Sequence, residues 1–327
     1  MKNRRNVFAI AVATLLSLGA VMQVSAQTST LTGKKIRIVV PAPAGTAPDV
    51  IARLLADSLA AQFKSAVVVD NKPGAGGLIA VRAVTSAPAD GTTLMLPPAA
   101  VVAVAPLIMK TATFDFERDF ETVASVANTP MLFVANPDKG PKTMADLVAR
   151  AKAKADDLTV GNPSRGSIPH LAAILVEQNR GVEFRHVPYG ATAQAIQSVV
   201  NGDTMASVDG VAVLLPLVKA GRIRALAVTS PRVMPGLEGI PLANETVPGM
   251  DVSGWFALFA PKGTPVAVLY ELNAATNVML KTPEAIAKMA ALGNYPMGGS
   301  VADAAAFVKR EKATWAAVVR KAGIEAE

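Results

Sequence analysis

The chain has 327 residues, a formal net charge of +7 at pH 7 and no cysteine. The lack of cysteine excludes disulfides, thiolate metal sites, cysteine nucleophiles and a lipid anchor attached through a cysteine sulfur. Lys and Arg residues are scattered without long runs, so the charge indicates a mildly basic surface that suits an anionic ligand, and it does not indicate nucleic-acid binding.

The first residues have the pattern of a secretory signal peptide. A basic start precedes a mostly apolar run at 7–21, and Val24-Ser25-Ala26 offers small residues for signal peptidase. The apolar run is shorter than the roughly 20 residues that span a bilayer. We therefore predict a signal peptide at 1–26, a periplasmic location and no membrane insertion. The leader holds three cations and no acid, which leaves a charge of +4 for the mature chain.

The mature chain begins with the pattern of an α/β protein. Its roughly 300 residues exceed what one hydrophobic core usually serves, so two domains are expected. From Ile36 onward, short β-branched runs alternate with Gly/Pro/Asp-rich turns and amphipathic stretches, which is typical of a sheet with crossover helices. Strands are predicted at 36–40, 67–70 and 93–96, and Ile51, Leu54, Leu55 and Leu59 mark one face of the first crossover helix.

The pattern changes after Phe120. Two apolar runs, 123–127 and 131–135, are separated by Asn128-Thr129-Pro130, which we interpret as the first hinge crossing. We predict one α/β domain at 27–127 and 256–327, and a second at 128–255. In the second series we expect helices at 144–153, 170–178 and 194–200, and strands at 158–160, 184–187, 205–208 and 223–228. A returning strand is expected at 255–260, and three last helices, at 266–280, 283–292 and 301–322, should pack on the first domain.

The first strand ends in a turn that leads directly into a helix. This turn contains Gly45, Thr46, Ala47 and Asp49, and its amides face the carboxyl end of the sheet, where open α/β sheets bind ligands. Thr46 suits the N-cap and Asp49 the third helical position. For Asp49, helix capping and ligand contact are both open.

A second strand-to-helix turn contains Ser164, Arg165, Gly166, Ser167 and His170. Its small polar residues can turn several N–H groups and two hydroxyls toward one anion. Arg165 either pairs with a carboxylate or stays solvated. His170 is expected to pack or to cap in the first turn of the helix rather than to catalyse a reaction.

Two further places follow strands. The glycines of 71–77 do not fit a dinucleotide loop, because Ile79 stands where the last glycine should be. They suit a turn that needs positive φ, which we favour over ligand contact. Asp209 ends a short strand, where it either faces a cleft or only shapes the turn before Gly210.

The sequence offers few of the residue combinations that an enzyme active site requires. Ser164 lacks the glycine two positions earlier that a nucleophile elbow requires, and His170 and His186 are the only histidines. We therefore predict no enzyme activity, no metal and no cofactor. Backbone donors at two helix starts are enough to bind a charged ligand. Four or five hydrogen bonds from them to the ligand's charged group approach the roughly 8 kcal/mol of binding free energy of a micromolar site.

Several landmarks occur in a characteristic order and spacing. With them, the mature chain resembles the periplasmic receptors of tripartite tricarboxylate transporters, the Bug-type receptors, along nearly its whole length. The landmarks are IRIVVP at 36–41 with Gly45 and Asp49, NKPGAGG at 71–77, DGTTL at 90–94, Gly166-Ser167 with His170-Leu171, HVPY at 186–189, KAGRIRALA at 219–227 and FAPKGTP at 259–265.

The resemblance implies a Venus-flytrap fold, the two-domain periplasmic-binding-protein fold with two hinge crossings. It implies that the loops after the first strand of each domain hold a ligand carboxylate, partly through ordered water. On this chain those loops are 44–49 and 164–170, with Asp209 near the other end of the cleft. The chain departs from the family at Gly45-Thr46, Pro48 and Gly190-Ala191, which leaves the ligand's identity open.

The predicted function is that of a receptor. We expect a periplasmic monomer that captures an organic acid, amino acid or aromatic acid and delivers it to membrane transporter subunits. One alternative is a periplasmic sensor that feeds a membrane signalling partner. The other is a secreted serine hydrolase using Ser164 with His170 or His186.

Overall fold

A ten-stranded mixed sheet organises the fold. The computed structural model describes residues 29–153 and 158–327, and the predicted signal peptide lies outside them. The first elements are β1 (Ile36–Val40), α1 (Ala47–Phe63), β2 (Val67–Asn71), a 3-10 turn (Ala75–Gly77), α2 (Leu78–Thr85), β3 (Thr93–Met95), a π-helical turn (Ala100–Val104), α3 (Ala105–Ile108), α4 (Phe116–Asp119) and β4 (Phe120–Ala135).

The second part of the chain continues this alternation and then returns to the first strands. Its elements are α5 (Met144–Ala153), β5 (Thr159–Asn162), α6 (Ile168–Arg180), β6 (Arg185–Pro188), α7 (Thr192–Asn201), β7 (Ala206–Gly210), α8 (Val211–Lys219), β8 (Arg224–Val228), α9 (Ala243–Thr246), β9 (Ser253–Pro261), α10 (Val266–Leu280), α11 (Pro283–Ala291), β10 (Tyr295–Pro296) and α12 (Val301–Lys321).

The strand order is β2-β1-β3-β9-β4-β7-β5-β6, and β8 and β10 also pair with β4. β1 runs parallel to β2 and β3, and β5 runs parallel to β6 and β7. We call the part built on β1, β2, β3, β9 and β10 lobe 1 and the part built on β5 to β8 lobe 2. This confirms the α/β class and fits the expected two-domain binding-protein fold.

One strand, β4, belongs to both lobes. Residues 120–130 pair with β9, and residues 131–135 pair with β7 and β8. The two apolar runs are therefore parts of one continuous strand, and the segment interpreted as the first hinge crossing lies within it. Pro130, which has no N–H to donate, stands where the partners change, and the next amide, that of Met131, donates to Thr229 Oγ1 at 2.9 Å. The predicted domain boundaries themselves stay a prediction.

The core of lobe 1 explains the helical face read from the sequence. Ile51, Leu55 and Leu59 of α1 are fully buried, as is Ile38 of β1, whereas Leu54 is only partly buried. Fully burying each such side chain stabilises the fold by about 1.5–3 kcal/mol. α1 therefore fixes the turn that precedes it against the sheet.

The last helix, α12, contacts both lobes. α10 packs on α1 and β4 in lobe 1, but α12 contacts α6 of lobe 2 as well as β4. There, Gln178 Nε2 donates to the carbonyl oxygen of Val318 at 3.2 Å. α12 thus contacts lobe 2 in addition to the first domain on which it was expected to pack. No helix within 29–153 or 158–327 is long and apolar enough to cross a bilayer.

Candidate functional site

A cavity of about 360 Å³ lies where strands of both lobes end. Pro41 follows β1, the glycine turn at 74–77 follows β2, the segment at 100–109 follows β3, and the turn at 164–167 follows β5. Ligands of open α/β proteins bind outside the carboxyl ends of the strands, and this volume suits a small molecule. We call it the cleft cavity.

The first predicted loop is held by Asp49. Its carboxylate accepts the Gly45 amide at 2.9 Å and pairs with Arg53, whose Nε and second guanidinium nitrogen lie 3.0 and 2.9 Å away. The hydrogen bond from Arg53 is the main reason that the pKa of Asp49 lies below its usual value. Both oxygens of this buried carboxylate are therefore engaged within the protein.

Replacing Asp49 with alanine should lower the free energy of unfolding by about 2 kcal/mol, because a buried charged hydrogen bond to Gly45 is lost. Asp146→Ala is the matched control, since Asp146 also accepts a backbone amide, that of Lys142, and pairs with Arg150 four residues later. Its side chain is 32% exposed, whereas that of Asp49 is 3% exposed, so its loss should cost only about 1 kcal/mol. Urea unfolding measures both. Equal costs would contradict the role of burial.

The other residues of this loop lie beside the cleft cavity, outside its lining. Gly45 is exposed with φ of +82°, and Thr46 and Ala47 are partly exposed. Thr46 has the backbone of an N-cap, but its hydroxyl donates to the carbonyl oxygen of Pro43 at 2.6 Å. The side-chain cap predicted at Thr46 is therefore not formed, because its hydroxyl oxygen accepts no amide of the first turn of α1.

The second predicted loop forms one wall of the cleft cavity, through Ser164, Arg165, Gly166 and Ser167. Ser167 is the N-cap of α6 and accepts the His170 amide at 3.3 Å, while its own hydroxyl donates to Ser164 O at 2.8 Å. The Arg165 side chain is 60% exposed, and its ion pair with Glu327 is long, at 3.8 Å. Arg165 thus keeps its donors available.

His170 shapes this loop from beneath. It is 8% exposed, and its Nδ1 accepts the Gly166 amide at 3.0 Å, which requires an unprotonated nitrogen. Burial, with smaller contributions from His186 and Arg165, lowers the pKa of His170 to about 4. The packing and capping role expected for His170 matches this geometry.

The two histidine rings meet edge to face, with centroids 4.8 Å apart. His186 contacts Asn162 Nδ2 at 2.9 Å and Glu177 Oε1 at 3.1 Å, so both of its ring nitrogens are engaged. Within the described chain neither imidazole is hydrogen-bonded to Ser164. The nucleophile–base pair that a serine hydrolase needs is therefore not assembled in this geometry.

Asp209 lies at the carboxyl end of β7 in lobe 2. Oδ1 accepts the Gly210 amide at 2.7 Å, whereas Oδ2 is buried and has no hydrogen-bond partner among the described residues. Burial raises the pKa of this carboxyl above its usual value. Asp209 therefore shapes the turn, as expected for one interpretation, and retains one unsatisfied oxygen.

Two parts of the cavity lining were not predicted from the sequence as parts of the site. Gly74, Gly76 and Gly77 have positive φ, as the turn interpretation required, and they also line the cleft cavity. The segment at 100–109 forms the opposite wall, and no helix or strand was predicted there. Its Ala/Val-rich run after a predicted strand and its Pro106 were the signals of a short irregular helix at the sheet edge.

Known proteins resemble this chain along most of its length. A family model described as tripartite tricarboxylate transporter family receptor matches residues 51–324. BugT of Bordetella pertussis is 30% identical over 311 residues, which are 94% of this chain and 95% of BugT. Among solved structures, Rpa4515 of R. palustris with adipate has a TM-score of 0.74 at 32% identity and covers 90% of this chain and 99% of its own. MatC of Rhodopseudomonas palustris with bound malate has a TM-score of 0.70 at 27% identity and covers 88% of this chain and 99% of its own.

Proposed function

Because this chain belongs to the tripartite tricarboxylate transporter receptor family, a family of solute-binding receptors, we propose that it captures a small carboxylate in the cleft cavity and delivers it to the membrane subunits of such a transporter. The observation that carries this proposal is a wall of hydroxyls, amides and one arginine at 164–167 that faces lobe 1 across a small cavity. The adipate with Rpa4515 and the malate bound to MatC support a carboxylate as the ligand class.

The ligand carboxylate binds the donors of the second loop. Ser164 Oγ and the Arg165 guanidinium have no short hydrogen bond elsewhere in the described chain, and each can donate to an anion. Hydrogen bonds to a charged group contribute about 1.5–3 kcal/mol each. Two or three of them with apolar contacts reach micromolar affinity. Gly166, Ser167 and His170 act by holding these donors in place.

The first loop completes the site when the lobes close. Asp49 accepts the Gly45 amide and so fixes the turn, and the amides of Thr46 and Ala47 approach the anion from lobe 1. The motion pivots where the chain passes between lobes, at Pro130 in β4 and before Ser253 in β9. Asp209 closes the far end of the cleft. The receptor acts as a periplasmic monomer without catalysis.

A thermal-shift screen of mono- and dicarboxylates tests this function. A ligand at 100 times its Kd raises the free energy of unfolding by about 2.7 kcal/mol, which moves Tm by several degrees. Arg165→Gln should abolish the shift, because the variant lacks the charged donor that the described part of the chain places in the lining. Arg222→Gln, at another exposed arginine of lobe 2, should retain it. A panel of organic, amino and aromatic acids that leaves Tm unchanged would remove the basis of the proposal.

A further inference from the structure

We infer that the ligand is a monocarboxylate with an apolar body, and that a second carboxylate weakens binding. This inference rests on the proposed function and deepens it. Among the residues that the structure describes, the cleft cavity carries its polar side chains on one wall only, the turn at 164–167 of lobe 2. The rest of the lining comes from lobe 1, and it is glycine or apolar: Pro41, Gly74, Gly76, Gly77, Ala100, Val101, Val104, Ala105, Ile108 and Met109.

The apolar wall reaches the polar one. A methyl group added at Gly166 would lie 2.6 Å from Ile108 Cδ1, so Ile108 already touches the polar turn. A side chain at Gly76 would collide with the sulfur of Met109, so Met109 borders the glycine turn. A ligand whose carboxylate binds Ser164 and Arg165 therefore directs its other end toward Ile108 and Met109.

This arrangement discriminates by charge at the ligand's far end. Of the described residues that line the cavity, Arg165 is the single charged one, and Lys110, which follows Met109, is exposed and outside the lining. A second carboxylate against Ile108 and Met109 would be desolvated without a charged partner, which is strongly unfavourable. A methylene in the same position gains up to about fourfold in affinity when it is buried.

Hexanoate and adipate form the sharpest test, because both have six carbons and differ by one carboxylate. Titration calorimetry should give hexanoate at least a tenfold lower Kd than adipate. The Kd of butyrate should likewise be lower than that of succinate. Adipate binding as tightly as hexanoate would overturn this inference and leave the proposed function standing. If no acid of any class binds, the proposed function fails as well.

Met109→Lys tests the apolar wall directly, since a partly exposed position can carry an ammonium. The variant should bind adipate at least tenfold more tightly than the wild type and hexanoate more weakly, while Met109→Leu keeps the wild-type preference. An unchanged ratio of the two Kd values in a folded Met109→Lys protein would contradict the inference. Should that variant not fold, the wild-type comparison of hexanoate with adipate decides alone.

Discussion

Between pH 7 and pH 4 the protein should lose about 3 kcal/mol of unfolding free energy that a His170→Asn variant does not lose. The folded state holds His170 neutral, with a pKa of about 4, whereas the unfolded chain protonates it near pH 6.5. As pH falls below 6.5, the unfolded state binds a proton at His170 that the folded state does not bind. The free energy of unfolding therefore decreases until the pH reaches about 4, where the folded state is protonated as well. Asparagine offers Oδ1 to the Gly166 amide and does not titrate in this range.

The measurement is urea unfolding of both proteins from pH 7 to pH 4. Other groups shift stability in the same window: the pKa of Asp49 is lowered, and burial raises those of Asp209 and Glu311. These groups are present in both proteins, so they cancel in the difference between the two curves. Parallel curves would mean that His170 is solvated or already protonated in the fold, and the account of its bond to Gly166 would fail.

The second large effect concerns Gly166, whose replacement by alanine should weaken carboxylate binding about tenfold, or about 1.4 kcal/mol. Its φ of +75° is strained for any other residue, and the added methyl would meet Ile108 Cδ1 at 2.6 Å. Because the end of Ile108 can move, the collision displaces this side chain and the turn rather than unfolding the protein.

Gly181→Ala separates the collision from the backbone strain. Gly181 ends α6 with φ of +61°, and an added methyl there meets no atom within 4 Å. Both variants should lose about 1 kcal/mol of stability through the left-handed backbone. Calorimetry with a ligand identified in the screen should find weakened binding only in Gly166→Ala. Equal affinities in the two variants would contradict the placement of Gly166 at the site.

Most strands and helices were readable because their patterns report burial. β1 lies inside the sheet and carries an almost unbroken β-branched run, and α1 shows its core face at helical spacing. α8 was missed for the opposite reason: its sequence, VAVLLPLVK, is apolar on every side and contains a proline. No periodicity marks such a segment, although only Val211 and Leu214 are buried in it.

The site was readable only in part. The turns after β1 and β5 were found because a strand followed by a helix start places amides at the sheet edge. The Asp49–Arg53 pair follows from the i,i+4 spacing of opposite charges, a signal that was available and not used. The bond from Gly166 to His170 depends on how the loop folds back, and no local pattern encodes it.

The position of β9 governs the order in which the protein can fold. This strand separates β3 from β4 in the sheet, yet residues 253–261 lie far along the chain from residues 93–135. Until they pair, β3 has an open edge at which other chains can pair. Lobe 1 can therefore close its sheet only when this distant strand has joined it, and such long-range pairing makes folding slow.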